Sequence, residues 1–436
     1  MVNYLVSLGI FTAIFALFSL GLNLQWGYTG LINFGQVAFL GLGAYTTILL
    51  SSAGVPLIIA VGMGAILAAL LGLGIGFSTL RLREDYLAIV TIGVAEVLQR
   101  VALNEEWLTR GARGVYGYPL PLRNFNPPLV VALAMVALLT AIVALAGWRW
   151  WQWLRHHIHG ALHPTAGWQG FSLIPYLVCL AGLQFSLWQL CTGGSPIFWF
   201  GAGLALILAV GCCYIDSFRE ASQRQSPLKT LLAQGWPTHL ILLTSTLLAG
   251  VLGVIYQSVV LGLFNNDYKS RLLWLVILVL ALMFWQLERW VHSPWGRVLK
   301  AIREDEEVAR ALGKNVFVYK LQSFMLGGAM TGVAGAFYAW QLSFLEPKGT
   351  FDSLLTFQAW TIVVLGGSGN NAGTLLGAAI FWAYTGLTRF LNDALPLDDA
   401  RIGAFRVMLI GLLLVVLMMW RPQGILGKKE ELTLGR

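Results

Sequence analysis

The sequence predicts an all-α fold, a polytopic transmembrane helical bundle of about 13 segments that includes short or broken helices. Three observations predict it. Hydrophobic residues make up 57% of the 436 and charged residues 11%, where an ordinary soluble domain carries about a quarter charged residues. No Lys, Arg, Asp, Glu or His precedes Arg81, and an uncharged stretch of that length has to cross hydrocarbon several times. Apolar runs of spanning length then recur almost to the C-terminal end.

In chain order the runs cover roughly 4–24, 37–52, 57–79, 86–103, 128–147, 171–191, 197–215, 238–262, 272–291, 318–341, 357–368, 374–391 and 404–420, judged against the roughly 20 residues that a span needs. The first has no basic n-region and no small-residue cleavage site, so it reads as a retained span rather than a signal peptide. Runs 37–52 and 357–368 are short enough to be broken or re-entrant. Pro56, Pro127, Pro128, Pro196, Pro237 and Pro294 punctuate the boundaries. Arg81 and Arg83, Arg149 and Arg155, Arg219 to Lys229, the loop 292–317 and the C-terminal tail carry the positive charge. These five regions fall on one side if every run crosses. The positive-inside rule makes that side cytoplasmic and the N-terminus extracytoplasmic, and a multi-pass inner (plasma) membrane protein follows. Arg110, Arg113 and Arg123, in the opposite loop 104–127, weaken the bias without reversing it.

The net charge of +8 sits in short loops between apolar runs, so it signals topology and not nucleic-acid binding. Trp148, Trp150, Trp151 and Trp153 read as an interfacial anchor. Next to them His156, His157, His159 and His163 lack acidic or cysteine partners and read as polar loop residues; no metal site is expected. Cys179, Cys191, Cys212 and Cys213 lie in or beside apolar runs without ligand spacing and read as small hydrophobes. Gly62, Ala65, Ala69, Gly72 and Gly76 recur at helical spacing, as close helix packing requires.

No GxxxxGK[ST], HExxH or nucleophile elbow occurs, so no enzymatic chemistry and no cofactor are expected. Gly367–Ala372 imitates a dinucleotide fingerprint but lies between apolar helices, not after a strand. The most informative stretch is SPWGRVLKAIREDEEVARALG, Ser293–Gly313. Pro294 suits a helix start and Gly313 a stop. Val298, Ala301, Ile302, Ala309 and Leu312 recur at helical spacing, with Arg303–Glu307 and Glu306–Arg310 as i,i+4 pairs. The spacing predicts a short amphipathic helix on the cytoplasmic side; a docking surface and a solvated connecting loop are its two readings.

That stretch resembles the SPFGRxLxAIRExExxAxxLG loop of permease subunits of branched-chain and neutral amino-acid ABC importers (the LivM type). GYTGLINFGQVAFLGLGAYT (27–46), LRLREDYLAIVTIGVAEVLQ (80–99), VVLGGSGNNAGTLLGA (363–378) and RPQGILG (421–427) resemble further blocks of that family. The resemblance covers about 20–127 and 272–427. It implies a membrane pathway without its own ATPase, partnered by a second homologous permease subunit, two cytoplasmic ATP-binding subunits and a periplasmic substrate-binding protein, all within membrane lipid. Two departures stand out: Glu84 replaces the family's usual Gly, and the region 128–262 is extra. About four runs, an even number, fill that region, which returns the chain to the side from which 272–291 enters.

The expected organisation is therefore a core region at residues 1–127, an inserted region at residues 128–271 and a second core region at residues 272–436 that carries the coupling loop 293–313. Gly296, Arg297, Ala301, Arg303, Glu304 and Gly313 are the ATPase-coupling candidates. The pathway candidates are Gln36, Glu96, Gly366, Gly367, Gly369 and Gly373. Glu96 is a carboxylate inside a span, functional by default unless Arg100 simply pairs with it. Gln36 can bond backbone freed at Gly35, and the glycines interrupt a helical pair at membrane depth. A urea or short-amide permease and, in another class, an ion-coupled secondary carrier are the alternatives. The sequence names no single substrate.

Overall fold

The computed structural model describes residues 2–80, 84–159 apart from 124 and 126, 173–192, 198, 200–209, 235–390 and short stretches of 404–427. The fold is an all-α bundle, as expected. In order come α1 (Val2–Leu22), α2 (Gln36–Ser52), α3 (Leu57–Thr79), α4 (Glu84–Asn104), α5 (Leu129–His159), α6 (Leu173–Cys191), α7 (Phe200–Ala209), α8 (Gly235–Phe264), α9 (Tyr268–His292), α10 (Pro294–Glu304), α11 (Glu306–Ala311), α12 (Val316–Leu342), α13 (Ser353–Gly366) and α14 (Asn371–Phe390). Among the described residues six helical stretches are long and apolar enough to cross a membrane: Asn3–Gly27, Leu57–Thr79, Tyr86–Asn104, Leu129–Trp150, Thr246–Phe264 and Tyr268–His292. Helices prevail because hydrocarbon offers no partner for backbone N–H and C=O groups, which a helix satisfies within itself. Most of the predicted run 404–420 and the end of 197–215 lie outside the described residues, as do Cys212, Cys213, His163 and the side chains of the other three histidines.

The chain divides into two compact units, residues 1–6 with 125–274 and residues 7–124 with 275–436. In the first, polar side chains lace α5, α6, α8 and the start of α9 together. Gln184 donates to the Gly253 carbonyl at 3.0 Å, the Thr140 and Tyr256 hydroxyls meet at 2.7 Å, and the Trp274 indole donates to the Met135 carbonyl at 2.9 Å. Cys179 and Cys191 are part-buried on α6.

In the second unit α12 runs through the centre, packed on α2 and α3. Phe324, Ala334, Ala336 and Ala339 on it are fully buried. Small residues let the backbones approach: a Cβ built on Gly43 would stand 2.2 Å from the Gly332 carbonyl oxygen, and one on Gly335 2.0 Å from that of Leu40. Gly72 and Gly76 on α3 also press on α12, at Met325 and Leu321, whereas Gly62 faces open space and packs nothing. Beyond the end of α4 a two-residue strand β1 (Val115–Tyr116) pairs antiparallel with β2 (Phe344–Leu345). Nearby, the Tyr118 hydroxyl donates to the Ala339 carbonyl. Burial pushes its pKa above the ordinary tyrosine range, so it remains a donor.

Candidate functional site

Two interruptions and one charged segment converge in the second unit. The first interruption follows α1. Residues Asn23–Gly27 form a single π-turn, a local widening that in helices often marks functional positions. The chain then loops to α2. Polar side chains fill this break and are fully buried: Asn23, Gln25, Asn33 and Gln36 each show 0% exposure. Inside an apolar bundle such groups are tolerated only when satisfied, and here they are. Gln25 donates to the Phe324 carbonyl at 3.0 Å. The Asn33 amide donates to Gln25 Oε1 at 2.8 Å and to Gln36 Oε1 at 2.6 Å. Gln36 donates to Thr331 Oγ1 at 2.5 Å, and Asn33 Oδ1 accepts from Gly35 N at 2.9 Å.

The second interruption is Gly367–Asn370, between α13 and α14. A Cβ on Gly366 would stand 2.0 Å from the Gly373 carbonyl oxygen, so the two helices leave and return backbone against backbone. The open carbonyls at the end of α13 are capped from far along the chain. Leu365 and Gly366 accept from the backbone N–H of Ile425 and Leu426, both at 3.0 Å, and Asn370 Nδ2 donates to the Leu426 carbonyl at 2.8 Å.

The two interruptions are bonded to each other. Asn23 Oδ1 accepts from Gly369 N at 2.9 Å, Asn23 Nδ2 donates to Asn371 Oδ1 at 3.2 Å, and Asn371 Nδ2 donates to Glu288 Oε2 at 2.8 Å.

The charged segment docks on the first break. Pro294 opens α10, and Gly296 is required there because a Cβ would stand 2.2 Å from the Val291 carbonyl. Leu299 and Ile302 turn inward, while Arg297, Ala301 and Glu304 are exposed. The Arg303 guanidinium donates to the Gly27 carbonyl at 2.5 Å. Gly30, at φ +81°, lies under the Arg303 stem, a backbone setting that favours glycine. The Lys300 ammonium stands 5.6 Å from the Tyr28 ring centre, within cation–π range.

The expected single helix over 293–313 is in fact two. Asp305 is extended and its carboxylate caps α11, accepting from Glu307 N at 2.8 Å and Val308 N at 3.0 Å. An Asp at this position outcompetes helix continuation because it satisfies two otherwise open N–H groups. Glu306 and Arg310 pair at 2.8 Å as their spacing predicts; Arg303 and Glu307, on opposite sides of the break, do not. Leu312, expected on the inner face, is 71% exposed. Gly313 ends the segment at φ +74°. A second tether joins α11 to α12, where Glu306 Oε2 meets the buried Lys320 ammonium at 2.5 Å.

The structure thus gathers Arg303, Gln36 and the glycines 366, 367, 369 and 373 with the α1 break. Glu96 stands apart, on the exposed face of α4, paired with Arg100 at 2.9 Å. Sequence reasoning passed over Asn23, Gln25, Asn33, Asn371, Glu288 and Lys320, and saw Glu306 only as a partner of Arg310. Three amides within eleven residues of an apolar stretch were the available signal for the first three.

The sequence matches the family described as the branched-chain amino acid transport system permease component over residues 4–153 and 185–418. This chain belongs to that family. It is 25% identical, over 97% of its length and 69% of the relative's, to the high-affinity branched-chain amino acid transport system permease protein LivM of Salmonella typhimurium. It is also similar, at 32% identity over 32% of its length and 42% of the relative's, to the permease protein LivH of Escherichia coli K12. A probable LivM of Methanocaldococcus jannaschii is 25% identical over 40% of this chain and 52% of its own. No solved structure matches. Membership fits the bundle of apolar helices, that of a multi-pass membrane permease.

Proposed function

We propose that this chain is a membrane-spanning subunit of an ATP-driven importer for branched-chain or other neutral, hydrophobic amino acids. In this reading it has no ATPase site and works with a second, homologous permease subunit, two cytoplasmic ATP-binding subunits and a periplasmic substrate-binding protein. The names of the LivM and LivH relatives support the cargo class and the permease pair. The N-terminus is extracytoplasmic and the C-terminus cytoplasmic, from the positive loops.

One observation carries the mechanism: Arg303 of the charged segment bonds the Gly27 carbonyl of the α1 break, and that break is bonded through Asn23 to Gly369 of the second. The exposed face of Arg297, Ala301 and Glu304 is where an ATPase subunit seats. Movement of that subunit shifts α10, and Arg303 passes the shift to the π-turn and thence to Gly366–Gly373. Gln36 holds the α2 side of the same break. The two bonded breaks open toward the cytoplasm as these bonds exchange, a change between two discrete packings rather than a continuous bend.

The complex reconstituted with its binding protein should accumulate leucine or alanine when ATP is supplied. Replacing Arg303 and Glu304 together by alanine should abolish that uptake with the protein still inserted. ATPase subunits should then detach or hydrolyse ATP without substrate control. Normal transport by the double variant, with ATPases recovered, would overturn the coupling assignment; uptake of urea alone would overturn the cargo.

A further inference from the structure

Helices α3 and α4 pack together through residues such as Ile75, Leu87, Leu71 and Val90, and each turns one face outward. On α3 that face is Ile58, Ile59, Met63, Ile66, Leu70 and Phe77, suited to acyl chains. On α4 Ile89, Ile92 and Val97 are exposed, but Glu96 and Arg100 stand among them with side chains 51% and 72% exposed. Glu96 lies ten residues into the span Tyr86–Asn104, about 15 Å of helix rise, close to its middle. Ionised groups at that depth are disfavoured against lipid and face protein or water. The outer face of α4 therefore does not look onto lipid.

The pair is also only half used. Arg100 Nε and Nη2 both bind one oxygen, Glu96 Oε1, each at 2.9 Å. Glu96 Oε2 and the other Arg100 amino group make no bond among the described residues. On the same face, less than one turn away, Gly93 has open space beside it: an added Cβ would meet nothing within 4 Å.

We propose that the outer face of α4 is a cargo-binding wall of the translocation path, closed by the second permease subunit. The cargo ammonium meets Glu96 Oε2, its carboxylate meets Arg100, and its aliphatic side chain lies over Gly93 between Ile89, Ile92 and Val97. A zwitterion of this kind adds no net charge to mid-membrane and completes both halves of the pair. An aliphatic side chain suits the apolar surround. The assignment rests on the importer reading above and adds to it the residues that take the cargo.

The test separates this site from a purely structural ion pair. In the assembled complex, Glu96→Gln with Arg100→Gln removes the pair without stranding a charge. The half-saturating leucine concentration should rise about tenfold or more, with partner subunits recovered as in wild type. Wild-type affinity in that double variant would overturn the proposal. A second variant, Gly93→Leu, should impair leucine uptake more than alanine uptake; equal, undiminished uptake of both would count against the site. A photo-crosslinking residue at position 89 or 97 should capture the partner permease, and one at position 66 on α3 only lipid. Capture of lipid alone from α4 would also overturn it. Should the wild-type complex move no amino acid at all, the importer reading fails, while the crosslinks still report what covers α4.

Discussion

A methyl group added at Gly335 would stand 2.0 Å from the carbonyl oxygen of Leu40, and one at Gly366 2.0 Å from that of Gly373. Both lie in the unit of residues 7–124 and 275–436. In the unit of residues 1–6 and 125–274 the corresponding neighbours are side chains: Leu183 at Gly250, Gln184 at Gly253 and Ser270 at Gly262. The difference is physical. A backbone atom moves only if its whole helix moves, whereas the end of a leucine turns to another rotamer at little cost. The unit that contains Gly335 and Gly366 is thus held by main-chain approaches between helices and by a buried amide network. The other is held by interdigitated side chains, which tolerate exchange. The proposed machinery of transport lies wholly in the tightly constrained unit.

The comparison is broken most directly at Gly335. Gly335→Ala should lower stability by about 3 kcal/mol, because α2 and α12 have to separate. The thermal midpoint of the purified protein in detergent should fall by several degrees, and the yield of inserted protein with it. A midpoint equal to wild type would show that the two backbones have slack.

The amide network comes next. Asn371 bonds both Asn23 and Glu288, and Asn23 is fully buried. Asn371→Ala should therefore cost about 1–3 kcal/mol, the penalty for leaving buried polar groups without partners. It should also unfasten the two breaks, so uptake should fall further than the stability loss alone accounts for. Measuring transport and thermal midpoint on one preparation tests both; a drop in the midpoint with unaltered transport would show the network to be structural only.

Much of this was legible in the sequence, for a reason that lipid imposes. A backbone in hydrocarbon has few options, so the apolar run 57–79 became Leu57–Thr79 and the run 37–52 became Gln36–Ser52. The placement of Arg303 against the GYTG stretch joins two blocks that sequence resemblance had already singled out. What stayed hidden was of two kinds. Asn23 and Asn371 are 348 residues apart, and uncharged amides give no warning in a sequence read mainly for charge. Asp305 falls inside the single helix that the spacing predicts, although Asp before Glu-Glu is also a helix start signal; the local cap won over the longer periodicity. Glu96 was half legible, since a carboxylate within a span was visible but the exposed face of α4 that it occupies was not.

A smaller effect is expected at Tyr118. Its hydroxyl donates to Ala339 beside the short β1–β2 pairing, and burial keeps it protonated well above neutral pH. Tyr118→Phe keeps the ring and loses one hydrogen bond to a buried carbonyl, for about 1 kcal/mol. A fall of about one degree in the midpoint is expected, with transport intact.

The smallest change is expected at Gly250, and it sharpens the comparison with Gly335 because the substitution is the same. An added Cβ would lie 2.8 Å from Leu183 Cδ2, 3.1 Å from Leu183 Cγ and 3.2 Å from Leu187 Cδ1. These contacts are tighter than van der Waals distance, but two of the three atoms are methyl carbons at the ends of leucines. A rotamer change at Leu183 relieves the overlap without moving α6 or α8, at a cost of roughly 0.5–1.5 kcal/mol for an off-minimum torsion. Against that, alanine gains roughly 0.8–1 kcal/mol over glycine within a helix. The two terms nearly cancel, so Gly250→Ala should shift stability by about 0.5 kcal/mol or less in either direction. A thermal midpoint within about a degree of wild type fits this balance. A loss as large as that of Gly335→Ala would mean that α6 and α8 also meet without slack, and the contrast between the two units would then rest on the amide network alone.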